Sequence, residues 1–90
     1  MSLVYKIILS DEAKKSLRKL DKSIVARLLT KFESDLRKLT DPRQAGKALK
    51  GELGSLWRYR VGDYRIICDI QDDILTIIVV RIGHRKNIYD

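Results

Sequence analysis

Leu56-Trp57-Arg58-Tyr59-Arg60-Val61-Gly62-Asp63-Tyr64-Arg65-Ile66-Ile67-Cys68-Asp69-Ile70 reads as two strands joined by a tight turn. Gly62-Asp63 suits a two-residue hairpin loop, because glycine supplies the positive φ such a loop needs. That turn pairs Val61 with Tyr64 and sets Arg60 opposite Arg65. Side chains alternate with period two, so Arg58 joins them on the same face. Like charges directly opposite each other destabilise a sheet. Three arginines on one hairpin face therefore imply a multiply charged anion as their partner.

The other face of the hairpin collects Trp57, Tyr59, Val61, Tyr64, Ile66, Cys68 and Ile70. It needs apolar helices to cover it, and the N-terminal half supplies them. Leu3 to Leu9 alternates as a first strand, with Tyr5, Ile7 and Leu9 on one side. Ser10 is placed to cap a helix whose positive first turn holds Asp11 and Glu12 and whose stripe is Ala13, Leu17 and Leu20. Asp21 is placed to cap a second helix, on which Val25, Leu28, Leu29, Phe32, Leu36 and Leu39 follow helical spacing up to Asp41-Pro42. Residues 42–55, with glycines at 46, 51 and 54, read as a loop. Strands are expected near 56–61, 64–71 and 74–83. The fold class is α+β: two N-terminal helices packed on one face of an antiparallel sheet, in the order βααβββ. Residues 1–90 are expected to form a single domain.

Asp72-Asp73 marks the second turn. A two-residue loop there sets Tyr64 opposite Arg81 and adds Thr76, Ile78, Val80 and Ile82 to the arginine face. Ile67, Ile78, Val80 and Ile82 then form an exposed aliphatic stripe, a surface that waits for a partner protein. The same register carries Ile82 and Gly83 past the hairpin tip and brings His84, Arg85, Lys86 and Tyr89 beside Arg60 and Arg65. Convergent cations with a histidine and a tyrosine suit phosphodiester cleavage.

Lys and Arg total 19 against 12 Asp and Glu, a net charge of +7, which favours a polyanionic partner, nucleic acid first and anionic membrane second. No apolar run approaches the ~20 residues of a membrane span, and the N-terminus shows no signal-peptide pattern. One Cys and one His cannot build a zinc site, so no metal or other cofactor is expected. Cys68 falls on the apolar face as a buried thiol, and a cytoplasmic location is expected. Lys14, Lys15, Arg18, Lys19 and Lys22 read most simply as a solvated helix face. Lys47 and Lys50 precede the hairpin, where phosphate contact and solubility are equally good reasons for them.

The hairpin block, together with Leu49-Lys50-Gly51-Glu52-Leu53 before it and Ile82-Gly83-His84-Arg85 and Tyr89 after it, resembles the RelE/ParE superfamily of bacterial and archaeal toxins. The similarity spans almost the whole chain. Resemblance to the RelE branch implies a toxin that enters the ribosomal A site and cuts translated mRNA through 2′-hydroxyl attack on the adjacent phosphate. It assigns Arg58, Arg60, Arg65, His84, Arg85 and Tyr89 to catalysis, and beside them Lys47, Lys50 and Lys86 are the candidate contacts to RNA phosphates. It also implies a cognate antitoxin, a small acidic or amphipathic protein, expected to cover the stripe of Ile67, Ile78, Val80 and Ile82 or the helices. Where that branch has a lysine proposed as general base, this chain has arginine, whose pKa above ~12 makes it a poor base. The base and acid roles then move to Tyr89 or His84, or charge stabilisation does most of the work. The ParE branch shares the fold and much of the Gly62-Asp63-Tyr64-Arg65 block, and it implies binding and inhibition of DNA gyrase instead. A non-catalytic basic interaction module is the third possibility.

Overall fold

The computed structural model describes residues 4–49 and 56–84. Its elements run β1 (Lys6–Leu9), α1 (Asp11–Arg18), α2 (Lys22–Arg37), a 3-10 turn (Pro42–Gln44), β2 (Lys47–Ala48), β3 (Leu56–Val61), β4 (Tyr64–Gln71), a second 3-10 turn (Asp72–Ile74) and β5 (Thr76–His84). The βααβββ frame stands, with the two-residue β2 added inside the expected loop. The sheet order is β1-β5-β4-β3-β2. β1 runs parallel to β5, from Lys6 opposite Thr76 to Leu9 opposite Val79. The sheet is therefore mixed rather than purely antiparallel.

Local chemistry accounts for the helix boundaries. The Ser10 hydroxyl accepts the Ala13 N–H at 3.1 Å and donates to the Val80 carbonyl at 2.9 Å, so it starts α1 and ties it to β5. Asp21 occupies the N-cap of α2, yet its side chain makes no capping hydrogen bond. α2 stops at Arg37, ahead of Leu39. Asp41 then caps the 3-10 turn instead of ending the helix: its carboxylate accepts the Arg43 N–H at 2.8 Å, and Gln44 Oε1 accepts from Thr40 N–H at 2.9 Å.

Ala13 and Leu17 of α1 and Leu28, Phe32 and Leu36 of α2 meet Tyr59, Val61, Ile66, Cys68, Ile70, Ile77, Val79 and Ile82 in one core. Both helices cover the same face of the sheet. Phe32 meets Tyr59 edge to face, with ring centroids 5.4 Å apart. The Tyr59 hydroxyl donates to the Pro42 carbonyl, and burial pushes its phenol pKa up. Cys68 is fully buried, and burial pushes its thiol up likewise, leaving it unreactive. Among the described residues no helix is long and apolar enough to cross a membrane.

The β3–β4 register is the expected one, with Val61 opposite Tyr64, Arg60 opposite Arg65 and Arg58 opposite Ile67. Gly62 turns at φ 59°. The β4–β5 register differs. The loop is the 3-10 turn plus Leu75 in the left-handed region (φ 48°), so Gln71 faces Thr76. A bulge follows: Cys68 pairs with Val79 but Ile67 pairs with Arg81, leaving Val80 as an extra residue. One extra residue reverses the faces beyond it. Ile82 lies opposite Ile66 in the core, 4% exposed, not on the arginine face. Tyr64 faces His84, not Arg81. Ile82 and Gly83 remain within the sheet instead of running past the hairpin tip.

Candidate nucleic-acid interface

The face of the sheet away from the helices carries the cations. β2 is positioned by Gly46, which turns at φ 79° where an added Cβ would overlap the Arg58 carbonyl oxygen and lie 2.7 Å from Trp57 Nε1. The Trp57 indole N–H donates to the Ala45 carbonyl at 2.7 Å, holding the incoming loop against β3. Lys47 is thereby set opposite Arg58. The registers then build two rows across the sheet. One runs Lys47, Arg58, Ile67, Arg81; the other runs Arg60, Arg65, Gly83. Arg60 is exposed and Arg65 half-buried.

Several expected placements change. His84 lies opposite Tyr64, and the two rings meet edge to face at 5.4 Å. That pairing puts His84 on the helix side, across the sheet from Arg60 and Arg65. The expected aliphatic stripe is also smaller. Ile67 is only 5% exposed and Ile82 belongs to the core, leaving half-buried Ile78 and Val80. Ile8 of β1, 42% exposed, sits opposite Ile78 and extends that patch toward the sheet edge. Lys50, Arg85, Lys86 and Tyr89 lie outside the described residues. β5 does end at the hairpin tip, since Gly83 faces Arg65.

Arg81 is a member of the cationic face that the sequence did not expose. Residues 77–80 are an unbroken apolar run, Ile-Ile-Val-Val, so alternation gives no phase and the bulge leaves no mark. Its Nε donates to Glu12 Oε2 at 2.9 Å. At the opposite end of the sheet, Asp72 joins three segments. It accepts from both Arg43 terminal nitrogens at 3.0 Å each and from the Tyr5 hydroxyl at 2.7 Å. The Arg43 guanidinium, then the Tyr5 hydroxyl, hold the Asp72 carboxyl below its usual range.

Two rows of cations on a rigid sheet can grip consecutive phosphates and stabilise charge that develops on one of them. The family model for the ParE toxin of the type II toxin–antitoxin system parDE matches residues 7–89. Toxin RelG from Mycobacterium tuberculosis is 32% identical over 85 residues, which cover 94% of this chain and 95% of RelG. The toxin–antitoxin complex RelBE2 from the same organism superposes at a TM-score of 0.80 with 30% identity, covering 92% of this chain and 93% of that one. The isolated Escherichia coli RelE toxin shares the fold at a TM-score of 0.66 and 18% identity, covering 90% of this chain and 84% of that one.

Proposed function

The chain belongs to the RelE/ParE superfamily, toxins of type II toxin–antitoxin systems, and from that premise we propose that it is a ribosome-dependent endoribonuclease. The observation that carries this reading is the direct opposition of Arg60 and Arg65 beside Arg58 and Lys47. The mRNA 2′-oxygen attacks the adjacent phosphorus, and the bond from phosphorus to the 5′-oxygen breaks. The products are a 2′,3′-cyclic phosphate and a 5′-hydroxyl. One proton leaves the 2′-hydroxyl and one reaches the departing 5′-oxygen. Arg58, Arg60, Arg65 and Arg85 hold the phosphate and stabilise its extra negative charge. An oriented donor of this kind contributes roughly 2.7–4 kcal/mol in the transition state. Lys47, Lys50 and Lys86 bind flanking phosphates. With His84 on the helix side of the sheet, proton transfer at the scissile phosphate falls to Tyr89.

The partner that restrains the toxin is a cognate antitoxin, small and acidic or amphipathic. Its apolar seat is the patch of Ile8, Ile78 and Val80 in place of the stripe expected from sequence. Activity on translating ribosomes places the protein in the cytoplasm.

Primer extension on mRNA after induced expression tests the proposal. Cuts within codons, lost in Arg65→Ala and Arg85→Ala variants that still fold, support it. Full growth arrest by the folded double variant removes it. Inhibition of DNA gyrase is the second possibility, favoured by the ParE toxin match over residues 7–89. Lost supercoiling activity with intact mRNA would establish it.

A further inference from the structure

Arg81 sits where two surfaces meet. By register it faces Ile67 and so belongs to the arginine side of the sheet. Its side chain also lines a cleft of about 280 Å³ between the end of α1 and the end of β5, with Ser16, Lys19, Tyr64 and His84 on the other walls. Lys19 is the C-cap of α1, and Glu12 in the first turn of the same helix is the carboxylate paired with Arg81. Both members of that pair are more than half exposed, so as a fold-stabilising bridge it contributes little.

Position gives the pair another use. Gly83, which has no side chain, faces Arg65, and Arg81 lies two residues back along β5, roughly 7 Å away. A single nucleotide step spans a comparable distance. β1 pairs with β5 only from Thr76 to Val79, so a strand of RNA with one phosphate at Arg60 and Arg65 turns round the β5 edge at Gly83 and brings its neighbouring phosphate to Arg81 in the cleft. Guanidinium groups bind phosphate in a two-pronged geometry that a monodentate carboxylate contact does not match.

We propose that this cleft is a second phosphate subsite for single-stranded RNA, with Arg81 and Lys19 as its ligands and Glu12 as the counter-ion the phosphate displaces. The subsite rests on the RNA-cleaving reading above and extends it to the nucleotide next to the scissile one. Tyr64 and His84 supply aromatic surface for the base attached to that phosphate.

The test is fluorescence anisotropy with a labelled single-stranded RNA whose 2′-hydroxyls are methylated, titrated over a series of salt concentrations. Arg81→Gln and Lys19→Gln should each weaken binding about fivefold and reduce the salt slope by roughly 0.7, the loss of one single-strand phosphate contact. Glu12→Gln should tighten binding about twofold by removing the competing carboxylate. Arg81→Lys should restore the slope, because it keeps the charge. Circular dichroism confirms folding, and Glu12→Gln in α1 and Lys19→Gln at its C-cap, both exposed, keep the test decisive if Arg81→Gln unfolds. Unchanged slopes in Arg81→Gln and Lys19→Gln, beside a reduced slope in Arg65→Gln, overturn the subsite alone. Unchanged slopes in all three overturn the RNA reading with it.

Discussion

Arg60 and Arg65 stand directly opposite each other in the β3–β4 ladder. Like charges in that relationship destabilise a sheet by roughly 0.2–1 kcal/mol. Arg60→Gln should therefore raise the melting temperature by up to several degrees, since ~1 kcal/mol moves a domain of this size by about 4–8 °C. The same variant should lose toxicity. Thermal denaturation and a growth assay on one preparation measure both. A variant that is less stable and still toxic would show that the opposition serves the fold.

Gly46 and Gly62 both adopt positive φ, at 79° and 59°, but their surroundings differ. A Cβ at Gly62 meets nothing within 4 Å, whereas one at Gly46 collides with the Arg58 carbonyl and the Trp57 indole. Gly62→Ala should lose only the left-handed backbone penalty, about 1–2 kcal/mol. Gly46→Ala should lose more and displace β2. Trp57 is the only tryptophan, so its fluorescence reports the displacement directly. Equal losses in urea unfolding, with unaltered Trp57 emission, would contradict this account of β2.

Asp72, in the β4–β5 turn, holds the first 3-10 turn through Arg43 and the residue ahead of β1 through Tyr5. Its folded pKa is depressed, first by Arg43 and then by Tyr5. The contribution to stability is therefore fully present above the unfolded carboxylate value, about 3.9, and is lost as pH falls through the lower folded value. Tyr5 is shifted the other way, raised chiefly by its hydrogen bond to Asp72, so its contribution is lost in strong alkali. Urea midpoints should fall between pH 5 and pH 2 in the parent chain, and Asp72→Asn should remove part of that dependence. A parallel acid limb in Asp72→Asn would mean that other carboxylates control it.

The hairpin and the helix faces were legible in the sequence because an alternation broken only at Ile67 runs from Trp57 to Ile70 around one glycine turn. Ala13, Leu17, Leu28, Phe32 and Leu36 likewise declare their inward stripe through helical spacing. Two things were hidden. β2 depends on one left-handed glycine and one indole hydrogen bond, neither of which has a local periodicity. The β4–β5 register depends on a left-handed Leu75 and an extra Val80, inside an apolar run that gives no phase. The longer loop shifts the pairing by two residues and keeps the faces, so the extra Val80 alone turns Ile82 and His84 to the helix side and Arg81 away from it.

Val80 itself provides the sharpest check on that register. With Val79 in the core and Ile82 opposite Ile66, Val80 is the one residue whose removal restores strict alternation without turning any neighbour over. Deleting Val80 should leave the pairs Ile66–Ile82, Ile67–Arg81 and Cys68–Val79 intact, as measured by cross-strand NOEs. What it should remove is the hydrogen bond from the Ser10 hydroxyl to the Val80 carbonyl, and with it the seat of the first turn of α1 on β5. The net intramolecular hydrogen bond is worth about 1 kcal/mol. Faster amide exchange should therefore appear at Asp11 to Ala13, while β4 keeps its protection. Deleting Val79 instead takes a fully buried residue out of the core, and should destabilise far more. If the two deletions were equally damaging, the extra residue would lie elsewhere in β5.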